Sequence, residues 1–286
     1  MNTYSKVSKK RTNIPFETLK IIYVALIVLM LYLPVVFIVI ESFNSSTIGY
    51  GFDSFTFKWY KQMFADEEFK KAVLTTFSIT ILSTIISTIL GTAFAIGINS
   101  LANKKKKSTL KQTVITLNNI PILNADIVSA IFLFIIFQTF GSIIGTKHPL
   151  GNTTLLLSHI FFSLPYVVLS VLPKLREIDV NLFDAALDLG CTPRKALTKV
   201  IVPAIMGGIF SGAVLAFTMS IDDFTISYFV SGADVQNLSI WINNIRTVRF
   251  GKLQIASAFY TIFTLVMFVI LVVYNIMSSR KQGVRK

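Results

Sequence analysis

"DAALDLGCTPRKALTKVIVP", residues 184–203, lies between two long apolar runs and is itself made of helix caps and turn signals. Asn181 to Leu189 reads as a short helix with Asp184 near its N-terminal end, where a carboxylate suits the helix dipole. Gly190 supplies the left-handed position that ends a helix without a Cβ penalty. Thr192 is placed to cap the next helix, and Pro193 fits its first turn. Arg194, Lys195 and Lys199 give that second helix a basic face, and Pro203 is expected to break it just before the apolar sequence resumes. Ala185 and Ala186 keep one face small enough for another surface to approach closely. The spacing predicts two short helices with a sharp turn between them. A plain αα-hairpin joining two spans is the simpler reading, and a compact docking knob is the more specific one.

Composition says what the hairpin is attached to. Of 286 residues, 53% are hydrophobic and only 14% are charged, against about a quarter charged in soluble domains. A bilayer-spanning helix needs roughly 20 mainly apolar residues, and six segments qualify. They are expected near 21–40, 72–99, 113–140, 150–172, 204–228 and 253–278. The first is longer than a signal-peptide core and lacks a small-residue cleavage site, so it reads as a retained span. The third is too long for a straight crossing at ~1.5 Å per residue. A kink or partial re-entry is expected in it around Pro121.

The net charge of +13 is spread unevenly along the chain. Nineteen of the twenty-seven Lys and Arg residues fall in the N-terminal tail, the 104–111 run, the 174–199 loop and the C-terminal tail. Basic residues concentrate on the cytosolic side of membrane proteins, so both termini and the hairpin are expected there. "KKKK" at 104–107 is then a topology signal, and no nucleic-acid partner is needed to explain the charge. The expected organisation is a cytosolic tail 1–19, a six-helix membrane domain 20–278 with the hairpin at about 181–203, and a cytosolic tail 279–286. One cysteine, Cys191, excludes an internal disulfide framework. No phosphate-cradling G-x-x-x-x-G-K-[ST] loop is present, and no catalytic or metal-ligating set is expected.

Three acids stand inside apolar runs: Asp126, Asp222 and Asp223. An ionised group near the bilayer centre costs ~2.5–3.5 kcal/mol on insertion scales, so such residues tend to face a pathway or a partner. No Lys or Arg shares those runs, so a cationic substrate suits them. Asp126 has a second reading as a protonated or hydrogen-bonded group at a broken helix, and Asp222 and Asp223 as hydrated residues at the outer interface. Trp59 and Tyr60, in "FTFKWYKQMF", fall on the outer side between spans one and two. Interfacial anchoring is their ordinary role, and a cation–π contact with an amine is the alternative. His159 and Pro165 read as packing and kink residues, and Gly208 with Gly212 as a helix-packing pair.

At residues 184–203 the sequence resembles the E-A-A-x-x-x-G-x(9)-I-x-L-P motif of the membrane subunits of binding-protein-dependent ABC importers. Asp184, Ala185, Ala186, Gly190 and Pro203 fall at the matching spacing, and Val200 and Val202 replace the two aliphatic positions. Asp184 departs from the motif's Glu by one methylene. "ESFNSS", "FTFKWY", "NADIVSAIF", "SHIFFSLPYVVLSVLPKLREID" and "LAFTMSIDDFTISYFVSG" look like the second permease subunit of spermidine/putrescine importers, over about residues 20–278. The resemblance implies an all-α polytopic membrane protein with the type I ABC importer architecture: six transmembrane helices and both termini cytosolic. It implies a non-catalytic subunit that moves polyamines. Its expected partners are a second, related permease, an ATPase dimer that holds ATP and Mg2+, and an extracellular substrate-binding protein. The hairpin would then be the coupling helix docked on the ATPase.

Other readings remain open on the residues alone. The same architecture serves solutes such as an aminophosphonate, thiamine, ferric iron or an oligosaccharide. An ion-coupled secondary transporter would use Asp126 or Asp222 to carry a proton or sodium, and would leave the hairpin unexplained. A non-transporting scaffold would tolerate neutralisation of the acids.

Overall fold

The structure, a computed structural model, describes residues 14–46, 51–100, 105–248 and 253–283. Most of the expected tail charges (Lys6, Lys9, Lys10, Arg11, Arg285 and Lys286) lie outside the described residues, as do Lys104, Arg249 and Lys252. In chain order the helices are α1 (Ile14–Ser42), α2 (Lys58–Ala65), α3 (Glu67–Ser100), α4 (Lys105–Leu123), α5 (Asp126–Ile144) and α6 (Asn152–Glu177). There follow α7 (Leu182–Asp188), α8 (Pro193–Ala196), a π-helical turn Leu197–Ile201, α9 (Val202–Ala204) and α10 (Met206–Ile221). Then come α11 (Thr225–Val230), α12 (Leu238–Val248) and α13 (Leu253–Gly283). The described residues form no strand beyond a single bridge, Asn44 to Phe55. That suits a chain in lipid, where a helix satisfies its own backbone groups.

Four described helices are long and apolar enough to cross a membrane: α1, α3, α5 and α6. The pair Pro193–Ala204 and Met206–Ile221, bent by 71°, makes a fifth if it is one span, and α13 adds a shorter apolar stretch, Leu253–Val269. Two expected spans are broken, the third close to the kink expected around Pro121 and the fifth where no break was expected. In the third, Pro121 is accommodated in the last turn of α4, and the break falls at Asn124 and Ala125, with Ala125 extended at φ −64° and ψ 138°. In that last turn the proline leaves the carbonyl of Leu117 without its helical donor, and α4 ends two residues later. The fifth, expected as one helix over 204–228, stops at Ile221 and restarts as α11.

The chain divides into two units, Met1–Asp66 with Ile245–Lys286, and Glu67–Asn244. In the first, α13 packs on α1 and α2, and α1 leaves most of its apolar side chains outward, as a lipid-facing helix does. In the second, the core is a three-helix contact among α3, α6 and α10. Small residues set its spacing: a Cβ on Gly91 would stand 2.8 Å from the Cβ of Val167, and one on Gly212 would stand 3.1 Å from the Cα of Val167. Gly208 meets Lys174 of the same helix α6. Backbones approach closely where side chains are absent, which is how membrane helices gain contact without a hydrophobic drive. Ala95, Ile98, Val167, Val168, Val171, Ile205 and Ala216 fill one core cluster; Ile79, Ala130, Leu133, Leu155, Phe162, Ile226 and Val230 fill the second.

Candidate functional site

The hairpin of residues 181–203 forms as two short helices about Gly190, whose φ of +83° is the left-handed value expected of it. The amide of Gly190 donates to the carbonyl of Leu187 and that of Cys191 to Ala186, closing the end of α7. Asp184 occupies the first turn of α7. Leu189 is 86% exposed and Val180 78% exposed, so apolar side chains stand out on a charged surface.

Two local details differ from expectation. Thr192 has the extended backbone of an N-cap, φ −68° and ψ 153°, but its side chain makes no capping bond. Pro203 does not break the helix: it sits within α9, and the bend comes at Ile205. The turn before it widens instead, with the amide of Val202 donating to Leu197 five residues back. A proline ring crowds the preceding turn, and a π-turn is one way to relieve that. Val200 lies in this π-turn and Val202 opens α9, so the motif's aliphatic positions join the knob to α10.

At the other end of α10 the two adjacent acids part company. Asp222 ends the helix with φ −100° and ψ 6° and is exposed. Asp223 turns inward, its side chain only 8% exposed. One carboxylate oxygen accepts the amide of Ile226 at 3.1 Å; the other accepts the amide and hydroxyl of Ser227, both at 2.8 Å. A carboxylate so placed competes with the helix for backbone donors, which is why the apolar run is not one helix.

His159 was expected as a packing residue and is the hub of this region. It is buried on α6, with Nδ1 2.7 Å from the Ser220 hydroxyl and Nε2 3.0 Å from the Ser227 hydroxyl. Nε2 also lies 3.6 Å from the Asp223 carboxylate, so a neighbouring span supplies that acid with a partner. Ser220 reaches Ser83 at 3.0 Å and Thr80 at 3.4 Å on α3, and the Thr154 hydroxyl donates to the carbonyl of Val230 at 2.9 Å. The only advance signal was a lone His in an apolar span with serines in the next, too weak to name the pairing.

Asp126 opens α5 just after the break and is exposed. It lies within electrostatic reach of Tyr166 on α6, which packs edge-on against Phe162. A cavity of about 150 Å³ opens between α4 and α6, lined in part by Asn118, Asn119, Leu169, Pro173 and Arg176. Exposed Phe224 and Tyr228, ring centroids 5.5 Å apart, flank the acidic break. Asp126 and Asp222 thus offer open carboxylates with aromatic neighbours, and Asp223 does not.

In the other unit, Trp59 is 2% exposed. Its indole N–H donates to the carbonyl of Asn44 at 2.6 Å, and the Lys58 ammonium stands 5.4 Å from the ring centroid. The Tyr60 hydroxyl is 2.8 Å from that of Ser42. These side chains brace the loop after α1, and the buried ring suits the anchoring reading of Trp59 better than an open face for an amine. Exposed Phe55 and Phe57 cluster there with half-buried Phe43.

Comparison with known proteins supplies what geometry leaves general. Residues 88–281 match the profile of the family described as binding-protein-dependent transport system inner membrane component. The spermidine/putrescine transport system permease protein PotC of Escherichia coli (strain K12) is 30% identical over 251 residues, covering 88% of this chain and 90% of that protein. PotC of Haemophilus influenzae is 30% identical over 253 residues, covering 88% and 93%. The E. coli putrescine transport system permease protein PotI is 30% identical over 221 residues, covering 77% and 76%. Among solved structures, a chain of a bacterial ABC transporter that imports the acidic polysaccharide alginate superposes with a TM-score of 0.72 at 14% identity, covering 98% of this chain and 99% of that one. A chain of an amino acid ABC transporter gives 0.51 at 19% identity, covering 75% and 94%. With its ABC importer permease fold and its apolar helices, this multi-pass protein of the cytoplasmic membrane belongs to the family of inner membrane components of binding-protein-dependent transport systems, the permease subunits of ABC importers.

Proposed function

We propose that this permease moves polyamines, with Asp126 and Asp222 as the carboxylates that receive ammonium groups, half-buried Tyr166 near the first and exposed Phe224 and Tyr228 near the second. The observation that carries the reading is a pair of open acids at two helix breaks in apolar sequence, in a chain whose relatives in sequence are named for spermidine and putrescine. An ammonium group on a methylene chain pairs with a carboxylate and lies on an aromatic face. Asp223 and Trp59 take a supporting part in this reading, and Tyr60 braces the loop that holds Trp59. The similar folds of alginate and amino acid transporters argue for the architecture and leave substrate choice to the side chains.

The subunit is non-catalytic in this reading, with six spans and both termini cytosolic. It pairs with a second permease and an extracellular binding protein, and ATP and Mg2+ act in a separate ATPase dimer. The hairpin, through Asp184, Ala185, Ala186 and Gly190, sits on that ATPase. Val200, Val202 and Pro203 pass its movement to α10. A stiff joint transmits a rigid-body movement that a loose loop would absorb.

The test is ATP-dependent uptake of labelled spermidine and putrescine by cells lacking their own importers, with the chain expressed beside its three partners. Saturable uptake is expected, and D126N should lower it at least about tenfold while the complex still assembles, the loss of one charge-assisted contact of ~1.4 kcal/mol or more. A complex that assembles and hydrolyses ATP but takes up neither amine would sink the polyamine reading and leave the permease intact.

A further inference from the structure

Two adjacent acids at one helix break invite the assumption that both meet the substrate. Their surroundings argue otherwise. Among the described residues Asp222 has no hydrogen bond or ion pair and is exposed. Asp223 accepts three hydrogen bonds and is nearly covered. The Ser227 hydroxyl has one proton, and at 2.8 Å from the carboxylate it donates there. Its oxygen is then an acceptor for His159 Nε2 at 3.0 Å, so Nε2 carries a proton. In the neutral ring Nδ1 accepts the Ser220 proton, and the Ser220 oxygen accepts from Ser83, which ties the assembly to α3. The imidazole therefore feeds a one-way relay, Nε2–H to Ser227 to Asp223, with the Asp223 carboxylate itself 3.6 Å from Nε2.

We propose that His159 is a positioning residue which, through Ser227, holds Asp223 against the backbone amides after the break and so leaves Asp222 as the acid of this pair that meets a cation. This rests on the pathway reading above and divides its labour between neighbours. Cutting the relay frees Asp223 and blurs the distinction. A merely packed histidine would affect assembly without changing which acid is accessible.

Two measurements on the whole complex decide it. In a C191S background, D222C should react with a cationic methanethiosulfonate at least about tenfold faster than D223C, and adding H159Q should speed labelling at 223 but not at 222. Equal labelling at the two positions, or no effect of H159Q, overturns the proposal whatever the substrate is. In spermidine uptake, D222N should raise KM. D223N and H159Q should mainly lower the maximal rate, with H159Q/D223N no worse than D223N alone and H159Q/D222N multiplicative, as coupled and uncoupled pairs behave. Multiplicative losses for H159Q/D223N overturn it as well. If H159Q does not assemble, S227A cuts the same relay and should reproduce D223N. Absence of uptake by the wild type would fail the polyamine reading alone, because the labelling result stands independently.

Discussion

Asn44 shows how much one side chain can hold in the loop after α1. It is 1% exposed, and its amide group donates to the carbonyl of Gly51 at 2.8 Å and to Glu41 at 3.2 Å. Its side-chain oxygen accepts the amides of Ser46 and Asp53, each at 3.1 Å. The backbone carbonyl of the same residue takes the Trp59 indole. Removing one partner from a buried pair costs the desolvation of the other, about 1–3 kcal/mol. Trp59→Phe is therefore expected to lower the thermal stability of the purified complex by that order while leaving the KM for spermidine unchanged. A several-fold rise in KM at unchanged stability would return the indole to the substrate path. The sequence shows an aromatic in an outer loop; whether its ring is open depends on a residue fifteen positions earlier, which no local pattern displays.

At the scale of elements, α3 carries two glycines with opposite surroundings. Gly97 has nothing within 4 Å of a built Cβ, whereas Gly91 would drive one to 2.8 Å from Val167 and 3.2 Å from the carbonyl of Leu164. Glycine in a helix interior costs about 1 kcal/mol against alanine, while overpacking costs typically 1–3 kcal/mol. Gly97→Ala should raise the melting temperature slightly and Gly91→Ala should lower it, in the same differential scanning measurement. The same sign for both would mean that the α3–α6 contact is looser than its geometry implies. Helix existence and rough span positions were legible in the hydropathy, since ~20 apolar residues admit few other structures in a bilayer. The breaks were not legible to the residue. Pro121 drew the kink to itself, whereas the chain leaves helix at 124–125. Asp223, by capturing the amides of Ile226 and Ser227, ends a run that hydropathy alone extends.

For the whole molecule, α10 is bent by 71° from the segment Pro193–Ala204 at one end and meets the acidic break at the other. Gly190 fixes the shape of the hairpin at φ +83°, and a Cβ in left-handed helical space costs ~1–2 kcal/mol. Gly190→Val is expected to cut co-purification of the ATPase and stimulated ATP hydrolysis at least about fivefold, with membrane insertion intact. Unchanged co-purification and hydrolysis would remove the hairpin from the coupling role. The sequence by itself determined the membrane class, the helical architecture and the two-helix hairpin, because hydropathy, turn residues and one left-handed glycine act over a few neighbouring positions. Only the tertiary structure decided that Asp222 is open and Asp223 held, that His159 is the holder, and that Trp59 is buried. Those outcomes depend on groups such as His159 and Ser227, 68 residues apart, which become neighbours only when α6 and α11 pack together.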